Sequence, residues 1–463
     1  MVNALQTIRD RVVKAEAAGP GERRVSSYGG LVLIQKLARA LRLGSDARRL
    51  LAARRDPSQG YETSLVAQLL MHGLLRGGEG FSATEPLRGD GPLLRMLGVE
   101  RAPSAETVEQ VVKYLADDEE RRRGPDRLLR TQAGRCVSAS SRSDLYSCEG
   151  FVPFWGDGTL LEVVGKDFDS IKTIDGKRGQ LASGCFVGPW LTGLDFAPQG
   201  AGEETVCRRL MDDTVREVLR PQRLMNDVLI LLDSLYGDGP TLDQLEGYEE
   251  KPSYIVGVQG LKEARRLMTE AAEIQWTDTG AKRSRGWAES GVAQMWLQCE
   301  GWASKRLMIC RRWKAEGEFL WNYAAVVTNL TAADKRVTEL MKRRGCGFEE
   351  AIWLLYGYKS GMENQWKELL SDLGLHHPPC AKAAVNAVFY ALAGLAYNLA
   401  VAARRLGLDG ERRTMRLWRL RTEILALAGY VVHHGRTVVM RLVDARDHLI
   451  EQLLAAMGRL ARL

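Results

Sequence analysis

Three carboxylate residues stand where a protein could build a metal site for phosphoryl transfer. Asp157 follows the strand-like run FVPFW, and Asp233 closes the continuous apolar run DVLILL. The carboxyl ends of buried strands are where open α/β sheets assemble their functional sites. Glu363 falls in the first turns of a helix that opens at Ser360 or Gly361. Carboxylate oxygens suit Mg²⁺ or Mn²⁺, and two such ions can hold the attacking and leaving oxygens of an in-line displacement.

The two aspartates also have a simpler interpretation, because aspartates at strand ends often only cap turns. Asp238, in YGDGP, is a rival for the role of Asp233, although its sequence context favours a turn residue. Spacing alone therefore leaves both interpretations open.

The pattern of apolar residues predicts the elements that must position these side chains. Residues 1–140 have apolar side chains at helical spacing. From 145 to 270, short aromatic and β-branched runs alternate with helical patterns, as in an α/β fold with a mixed sheet. Tryptophan-rich alternating segments between 271 and 335 indicate an antiparallel insertion, and helical periodicity then continues to the end. The predicted fold is an α/β core with a β-rich insertion, flanked by helical N- and C-terminal regions.

Charge is distributed unevenly along the 463 residues, whose formal net charge is +7. Residues 151–270 carry 20 acidic and 13 basic side chains, whereas residues 1–150 carry 24 basic and 19 acidic ones. The last 53 residues carry 10 basic and five acidic side chains. A DNA duplex responds to charge within a Debye length of about 8–10 Å. An acidic core between basic flanks therefore suits an enzyme that acts on DNA.

Composition and motifs exclude several other classes of protein. With 45% hydrophobic and 27% charged residues, the chain is neither collagen-like nor wholly disordered. None of the eight cysteines forms a C-x-x-C pair, so zinc ribbons and redox motifs are unsupported and a reduced, cytosolic protein is expected. The uncharged run 383–403 contains two asparagines and predicts a buried helix rather than a membrane span. No P-loop lysine motif or G-x-S-x-G motif is present, which argues against an ATPase or a serine hydrolase.

The sequence around Glu363 resembles a known family. The stretch YGYKSGMENQWKELLSDLGLHHPP is similar to the signature helix of bacterial insertion-sequence transposases of the DDE, RNase H-like class, with the pattern Tyr-x2-Arg-x3-Glu-x6-Lys. The matching positions are Tyr356, Glu363, Asn364, Lys367, Glu368, Leu369, Asp372 and Gly374. The DGT at 157–159, LLDSLYGD at 231–238 and NAVFYALAGLAYNLA further on follow in family order, so the resemblance covers nearly the whole chain. Two positions depart, since Lys359 replaces the family Arg and Leu370 replaces the family Lys.

The resemblance implies a division of the chain into five parts. An RNase H-like core would comprise 145–270 and 336–375, interrupted by the β-rich insertion at 271–335. A helical DNA-binding or dimerisation region would occupy 1–140, and a basic helical region would occupy 376–463.

The resemblance also implies a chemistry. Asp157, Asp233 and Glu363 would hold two Mg²⁺ ions, with Mn²⁺ able to substitute. A metal-bound water would attack the phosphodiester at each transposon end, and the released 3′-hydroxyl would then attack target DNA. The residues of the signature helix expected to contact DNA are Tyr356, Lys359, Asn364 and Lys367. The expected assembly is a homodimer on double-stranded DNA in the bacterial cytoplasm, associated with the nucleoid and not with a membrane.

The tryptophans of the insertion are candidates for DNA contact. Related transposases with a β insertion cut through a DNA hairpin and stack a flipped base on such a tryptophan, which fits the strength of base–aromatic stacking. Trp287 lies near Arg283 and Arg285, and Trp313 follows two arginines. The simpler alternative is that these tryptophans pack the core of the insertion. We predict that Trp287 or Trp313 contacts DNA.

The departures at Lys359 and Leu370 support a second hypothesis. A catalytically decayed or repurposed transposase would bind the same DNA ends without cutting them.

Overall fold

The computed structural model describes residues 12–17, 25–53, 60–258, 266, 268–269, 274–280, 285–434, 437–443 and 446–461. In chain order the strands are β1 (Val12–Ala17), β2 (Val152–Glu162), β3 (Ile171–Ile174), β4 (Lys177–Val187), β5 (Trp190–Phe196), β6 (Val228–Leu232), β7 (Ser253–Gly257), β8 (Thr277–Asp278), β9 (Trp287–Leu297), β10 (Arg306–Ala315), β11 (Asn322–Thr328), β12 (Gly429–His434) and β13 (Thr437–Leu442). The helices are α1 (Val32–Ala40), α2 (Leu43–Leu50), α3 (Thr63–Arg76), α4 (Glu85–Arg88), α5 (Gly91–Leu97), α6 (Ala105–Ala116), α7 (Glu119–Ala139), α8 (Arg142–Leu145), α9 (Glu203–Thr214), α10 (Gly239–Gly247), α11 (Lys335–Arg344), α12 (Phe348–Tyr356), α13 (Gly361–Lys367), α14 (Ala383–Ala402), α15 (Leu417–Leu420) and α16 (Asp447–Leu460).

A mixed sheet of ten strands forms the centre of the described structure. Its order is β3-β4-β2-β6-β7-β11-β10-β9-β8, and β5 pairs with β4. The apolar run of β6 is buried along its whole length, as expected of a strand between two parallel neighbours. Strand β2 runs parallel to β6 and antiparallel to β4. The predicted α/β fold with a mixed sheet is confirmed at this level.

The register of β2 and β6 determines which side chains are neighbours where the pairing of these two strands stops. The last pair in this register is Gly156 with Leu232. The next residues along the two strands are Asp157 and Asp233. The parallel pairing of β2 and β6 therefore makes these two aspartates neighbours. The expectation that Asp157 only follows its strand was wrong, because β2 continues to Glu162 and pairs with β4 along that length.

The strands of the predicted insertion extend the core sheet rather than forming a separate one. Strands β8 to β11 pair antiparallel with one another, and β11 pairs with β7 of the core. The predicted boundary between residues 270 and 271 lies outside the described residues. The β character expected for the insertion is present, since the tryptophan-rich segments form β9 and β10.

Helices from both ends of the chain pack together beside the sheet. Helix α14 contacts α3, α6 and α7 as well as strand β5. The prediction that the two flanking regions are entirely helical was wrong in part, because β1, β13 and β12 form a three-stranded sheet in that order. The runs VVHH and TVVMRL are β-branched and favour strands, and β1 pairs with β13 in parallel.

The uncharged helix of residues 383–403 is a core element of the described structure. The helix Ala383–Gly407 is long and apolar enough to cross a membrane, but 94% of its most apolar stretch is buried inside the protein. Its two asparagines have polar partners within the fold. Asn398 accepts a hydrogen bond from the Leu191 N–H at 3.0 Å and donates one to the Leu191 carbonyl at 2.8 Å. Asn386 donates to Gln180 Oε1 at 2.7 Å.

Candidate active site

Asp157 in the middle of β2 and Asp233 directly after β6 are neighbours, because the parallel pairing of the two strands ends one residue before each of them. Oδ1 of Asp157 accepts a hydrogen bond from the Gly158 N–H at 3.0 Å, and Oδ1 of Asp233 accepts one from the Ser234 N–H at 2.5 Å. These bonds hold one oxygen of each carboxylate against the backbone. The other oxygen, Oδ2, remains free to meet a cation from outside the strands.

Lys359 supplies that cation in this structure. Its Nζ lies 3.2 Å from Oδ2 of Asp157 and 2.9 Å from Oδ2 of Asp233. The Lys359 side chain is only 14% exposed. Nearby, the Tyr356 hydroxyl donates a hydrogen bond to the Leu232 carbonyl at 3.2 Å. Tyr356 and Lys359, both predicted to contact DNA, therefore hold the turn before α13 against the ends of β2 and β6.

The pKa values of Asp157, Asp233 and Lys359 are shifted by partial burial and by the attraction between their charges. Burial raises the pKa of Asp157, and the charge of Lys359 offsets only part of that rise. Burial alone would also raise the pKa of Asp233, but the hydrogen bond and charge of Lys359, together with the Ser234 N–H, lower it overall. The two carboxylates raise the pKa of Lys359 despite its burial, so its ammonium remains charged.

A third carboxyl group, that of Glu203, lies next to the aspartate pair. It was not predicted from the sequence. It stands in the first turn of α9 and is 8% exposed. The Tyr236 hydroxyl donates a hydrogen bond to its Oε1. The carboxyl fits against the backbone because residue 158 is glycine, where a Cβ would lie 2.2 Å from Cδ of Glu203. The glycine that follows Asp157 in DGT was the available sequence signal, since it leaves room for a close neighbour.

Burial raises the pKa of Glu203 to about 7, and the negative charges of Asp157 and Asp233 add to the effect while the Tyr236 hydrogen bond opposes it. The folded protein therefore binds a proton here more tightly than the unfolded chain, for which the ordinary value is 4.5. This group stabilises the fold fully below about pH 4.5, and that contribution is lost as the pH rises to about 7.

We expect wild-type protein to lose stability relative to the Glu203→Gln variant across this pH window. The shift in pKa corresponds to a change of up to about 3 kcal/mol in the difference between their free energies of unfolding. Denaturant titrations of both proteins at about pH 4.5 and about pH 8 measure this difference. A difference that stays constant with pH would contradict the assignment.

Glu363 is exposed and does not form a metal-binding group with Asp157 and Asp233 in the part of the chain that the structure describes. Helix α13 buries Met362 and Trp366, while Glu363, Asn364 and Lys367 lie on its exposed side. Among the described residues, no group of three or more acidic, histidine or cysteine side chains is close enough to hold a metal ion. The expected three-carboxylate cluster is thus not assembled in this structure, because the buried face of α13 directs Glu363 outward.

The aspartate pair itself fits a divalent cation. Two carboxylate oxygens from separate strands already converge on one positive charge, the Lys359 ammonium. Such hard oxygen ligands suit Mg²⁺ or Mn²⁺. The rival Asp238 lies elsewhere, since its Oδ2 accepts a hydrogen bond from Arg208 Nη1 at 2.9 Å and it precedes α10.

Comparison with known proteins identifies the family. Residues 198–463, more than half of the chain, match the family model described as Transposase DDE domain group 1. The chain belongs to this family of DDE transposases. The matched region includes Asp233, Glu203 and Glu363, and Asp157 precedes it.

One solved structure is similar to the transposase over most of the length of both chains. The cryo-EM structure of a piggyBac transposase synaptic complex with hairpin DNA has 11% sequence identity and a TM-score of 0.40, and the likeness covers 88% of this chain and 83% of that chain. The comparison with curated proteins gave no match.

Strands β9 and β10 of the transposase carry a compact cluster of tryptophan and arginine side chains. The rings of Trp287 and Trp313 stack, with centroids 5.1 Å apart and an interplanar angle of 20°. The guanidinium groups of Arg285 and Arg311 lie 5.1 and 5.4 Å from the Trp287 ring centroid. The Arg311 guanidinium also lies 4.1 Å from the ring centroid of Trp353 on α12. The cluster therefore extends to the helix that precedes the turn before α13.

The residues predicted to contact DNA from these strands lie partly in this cluster, and their contact with DNA stays a prediction. The structure brings Trp287, Trp313 and Arg285 together, whereas Arg283 lies outside the described residues. Arg311 is one of the two arginines that precede Trp313, but it was not among the residues predicted to contact DNA. Burial, with a smaller effect of Arg285, lowers its pKa to about 9.

Proposed function

We propose that the chain is a catalytically active DNA transposase. It binds the terminal inverted repeats of an insertion sequence, cleaves DNA at both ends by Mg²⁺-dependent phosphoryl transfer, and joins the 3′-hydroxyl ends to target DNA. The observation that carries this proposal is the convergence of Asp157 and Asp233 on one cation where the pairing of β2 and β6 stops, in a chain of the DDE family.

Asp157 and Asp233 would hold Mg²⁺ or Mn²⁺, and Glu363 would complete the ligand set once α13 shifts on DNA. The bound ions supply two effects, namely a lowered pKa of bound water and neutralised charge on the phosphodiester. The Gly158 and Ser234 N–H groups fix one oxygen of each aspartate, so that the other oxygen is oriented before substrate arrives.

The exposed face of α13 would contact the DNA backbone. Asn364 and Lys367 lie on the same side as Glu363 and are exposed. A lysine there neutralises a phosphate, and an amide donates to its oxygens. These contacts would draw Glu363 toward the scissile phosphate.

Three finer features belong to the same proposal. The core is RNase H-like, which is supported by the order β5-β4-β2-β6-β7 with Asp157 on its central strand. End cleavage passes through a hairpin in cut-and-paste transposition. The protein works in the bacterial cytoplasm as a homodimer on DNA, and residues 1–140 contribute to DNA binding or dimerisation.

A second candidate is the decayed or repurposed transposase that binds DNA ends without cutting them. The position of Lys359 favours it, because an ammonium already lies between the two aspartates and, among the described residues, Glu363 does not form a metal-binding group with them. The two candidates share DNA binding and differ in strand cleavage.

Incubating the purified protein with labelled end DNA and Mg²⁺ separates the two candidates. Wild-type protein should release 3′-hydroxyl ends, and a denaturing gel would show hairpin products. The Asp233→Ala variant should bind the same DNA and yield no cleavage products. Equal products from both proteins, or none from either, would defeat the proposal of an active enzyme.

The stacked tryptophans provide a further prediction about end processing. Alanine at Trp287 or Trp313 should lower the rate of end processing by about 5- to 150-fold, since stacking a base is worth about 1–3 kcal/mol. Trp296→Ala is the matched control, because Trp296 lies on the same strand β9 but is 65% exposed. If the double variant Trp287→Ala/Trp313→Ala processes ends as well as wild type does, these rings do not stack on DNA.

A further inference from the structure

The Lys359 ammonium stands at the point where the two aspartates converge. It contacts Oδ2 of each one, and these are the oxygens left free by the backbone hydrogen bonds of Gly158 and Ser234. A divalent cation bound by both aspartates would need the same two oxygens. Lys359 and such a cation therefore compete for one place.

The surrounding residues show that this contact is built into the fold. The Lys359 side chain is 14% exposed and that of Asp157 is 19% exposed, so this ion pair is largely shielded from water, whereas Asp233 is 47% exposed. The neighbouring Tyr356 hydroxyl holds the same turn to the Leu232 carbonyl. Ion pairs shielded in this way are stronger than those fully exposed to solvent.

The position of Lys359 in the chain couples it to Glu363. The turn Gly357–Ser360 contains Lys359 and leads directly into α13, whose first turn carries Glu363. While Lys359 is held by the aspartates, the start of α13 is fixed and Glu363 stays exposed. Release of Lys359 would free the start of this helix to move.

We infer that Lys359 is the internal counter-ion of the DNA-free site: it occupies the cation position between Asp157 and Asp233, and it must leave before a divalent ion binds. This inference rests on the proposed function, since it takes the aspartate pair to be the metal site. A phosphate of the DNA backbone is the natural new partner for the released ammonium. Metal loading is then coupled to DNA binding, and the free protein stays in an inactive state.

Mn²⁺ binding to the DNA-free protein tests this competition. Isothermal titration calorimetry would compare wild type with Lys359→Gln, which removes the charge, and Lys359→Arg, which keeps it. The expected result is that Lys359→Gln binds Mn²⁺ at least tenfold more tightly than wild type, while Lys359→Arg stays close to wild type. Equal or weaker binding by Lys359→Gln would overturn the inference.

A second variant keeps the test valid if Lys359→Gln does not fold. Tyr356→Phe removes only the hydroxyl that holds the turn to Leu232 and leaves every charge in place. It should tighten Mn²⁺ binding in the same direction by a smaller factor, and unchanged binding would count against the inference.

Failure of the proposed function gives a different result. The aspartate pair is not the metal site if neither wild type nor Lys359→Gln binds Mn²⁺. The same conclusion follows if introducing Asp157→Asn into each of these two proteins leaves their Mn²⁺ affinity unchanged. In that case the proposed chemistry fails together with the inference.

Discussion

Asp157→Asn is expected to lower the rate of end cleavage by more than about 100-fold, since even residues that only support a metal ligand typically cost about 10- to 100-fold when mutated. Asparagine has nearly the same shape as aspartate but lacks the negative charge that a divalent ion needs. The folded protein should tolerate the change. Burial already raises the pKa of Asp157, which means that its charge is costly in this place.

The informative result is therefore loss of cleavage without loss of stability. The Asp157→Asn variant should keep the midpoint of thermal unfolding at or above that of wild type. Asp238→Asn is the matched control, because Asp238 is ion-paired with Arg208 away from the aspartate pair. If Asp157→Asn cleaves end DNA at the wild-type rate, Asp157 is not a metal ligand.

Gly158→Ala is expected to combine a loss of stability with a loss of cleavage. The new Cβ would lie 2.2 Å from Cδ and 2.4 Å from Oε1 of Glu203, and Glu203 is 8% exposed and bonded to Tyr236. Overpacking of this kind costs about 1–3 kcal/mol. Because Glu203 is buried, strand β2 or Glu203 must move, and a shift of β2 would displace Asp157, the residue before Gly158.

A double-mutant cycle with Glu203→Ala isolates that clash. Once the carboxyl is removed, Gly158→Ala should cost much less stability than in the wild-type background, which chemical denaturation measures. Gly134→Ala in α7 is the control, since a Cβ there meets no atom within 4 Å. Equal costs of Gly158→Ala in both backgrounds would show that Glu203 does not fill this space.

Local sequence patterns were sufficient to predict the two strands that carry or precede Asp157 and Asp233, whereas the choice of these aspartates as a site depended on the family resemblance. The apolar run before Asp233 identifies a buried strand, and the aromatic run before Asp157 identifies its neighbour. That these two strands are neighbours in the sheet, which places the two aspartates together, is known only from the structure. The family membership expected from the signature around Glu363 is confirmed by the matched region 198–463.

Features that depend on distant contacts could not be predicted. The bond from Lys359 to Asp233 joins residues 126 positions apart, and nothing local to Lys359 indicates which charge it meets. Glu203 reaches the site because α9 begins beside Gly158, a matter of how the helix packs. Strand β1 pairs with β13 from the opposite end of the chain. The β-branched character of 429–442 was visible locally, yet its partner strand was not.

The lysine at position 359 is compatible with both candidate functions, an active transposase and a decayed one. Arginine is the family residue at this position, and its planar guanidinium favours bidentate contacts with phosphate. Lysine is a compact charge that fits between two single carboxylate oxygens, as the distances of 3.2 and 2.9 Å show. The same departure that suggested decay is thus consistent with a site held inactive until DNA arrives.

The most direct test of the central claim is to locate Mn²⁺ in crystals of the protein bound to its end DNA, by anomalous scattering. The proposed function predicts a strong anomalous peak in contact with the carboxylates of both Asp157 and Asp233, with Lys359 moved away from them and Glu363 moved toward the ion. A map with no peak between the two aspartates, and with Lys359 still bridging them while DNA is bound, would contradict it.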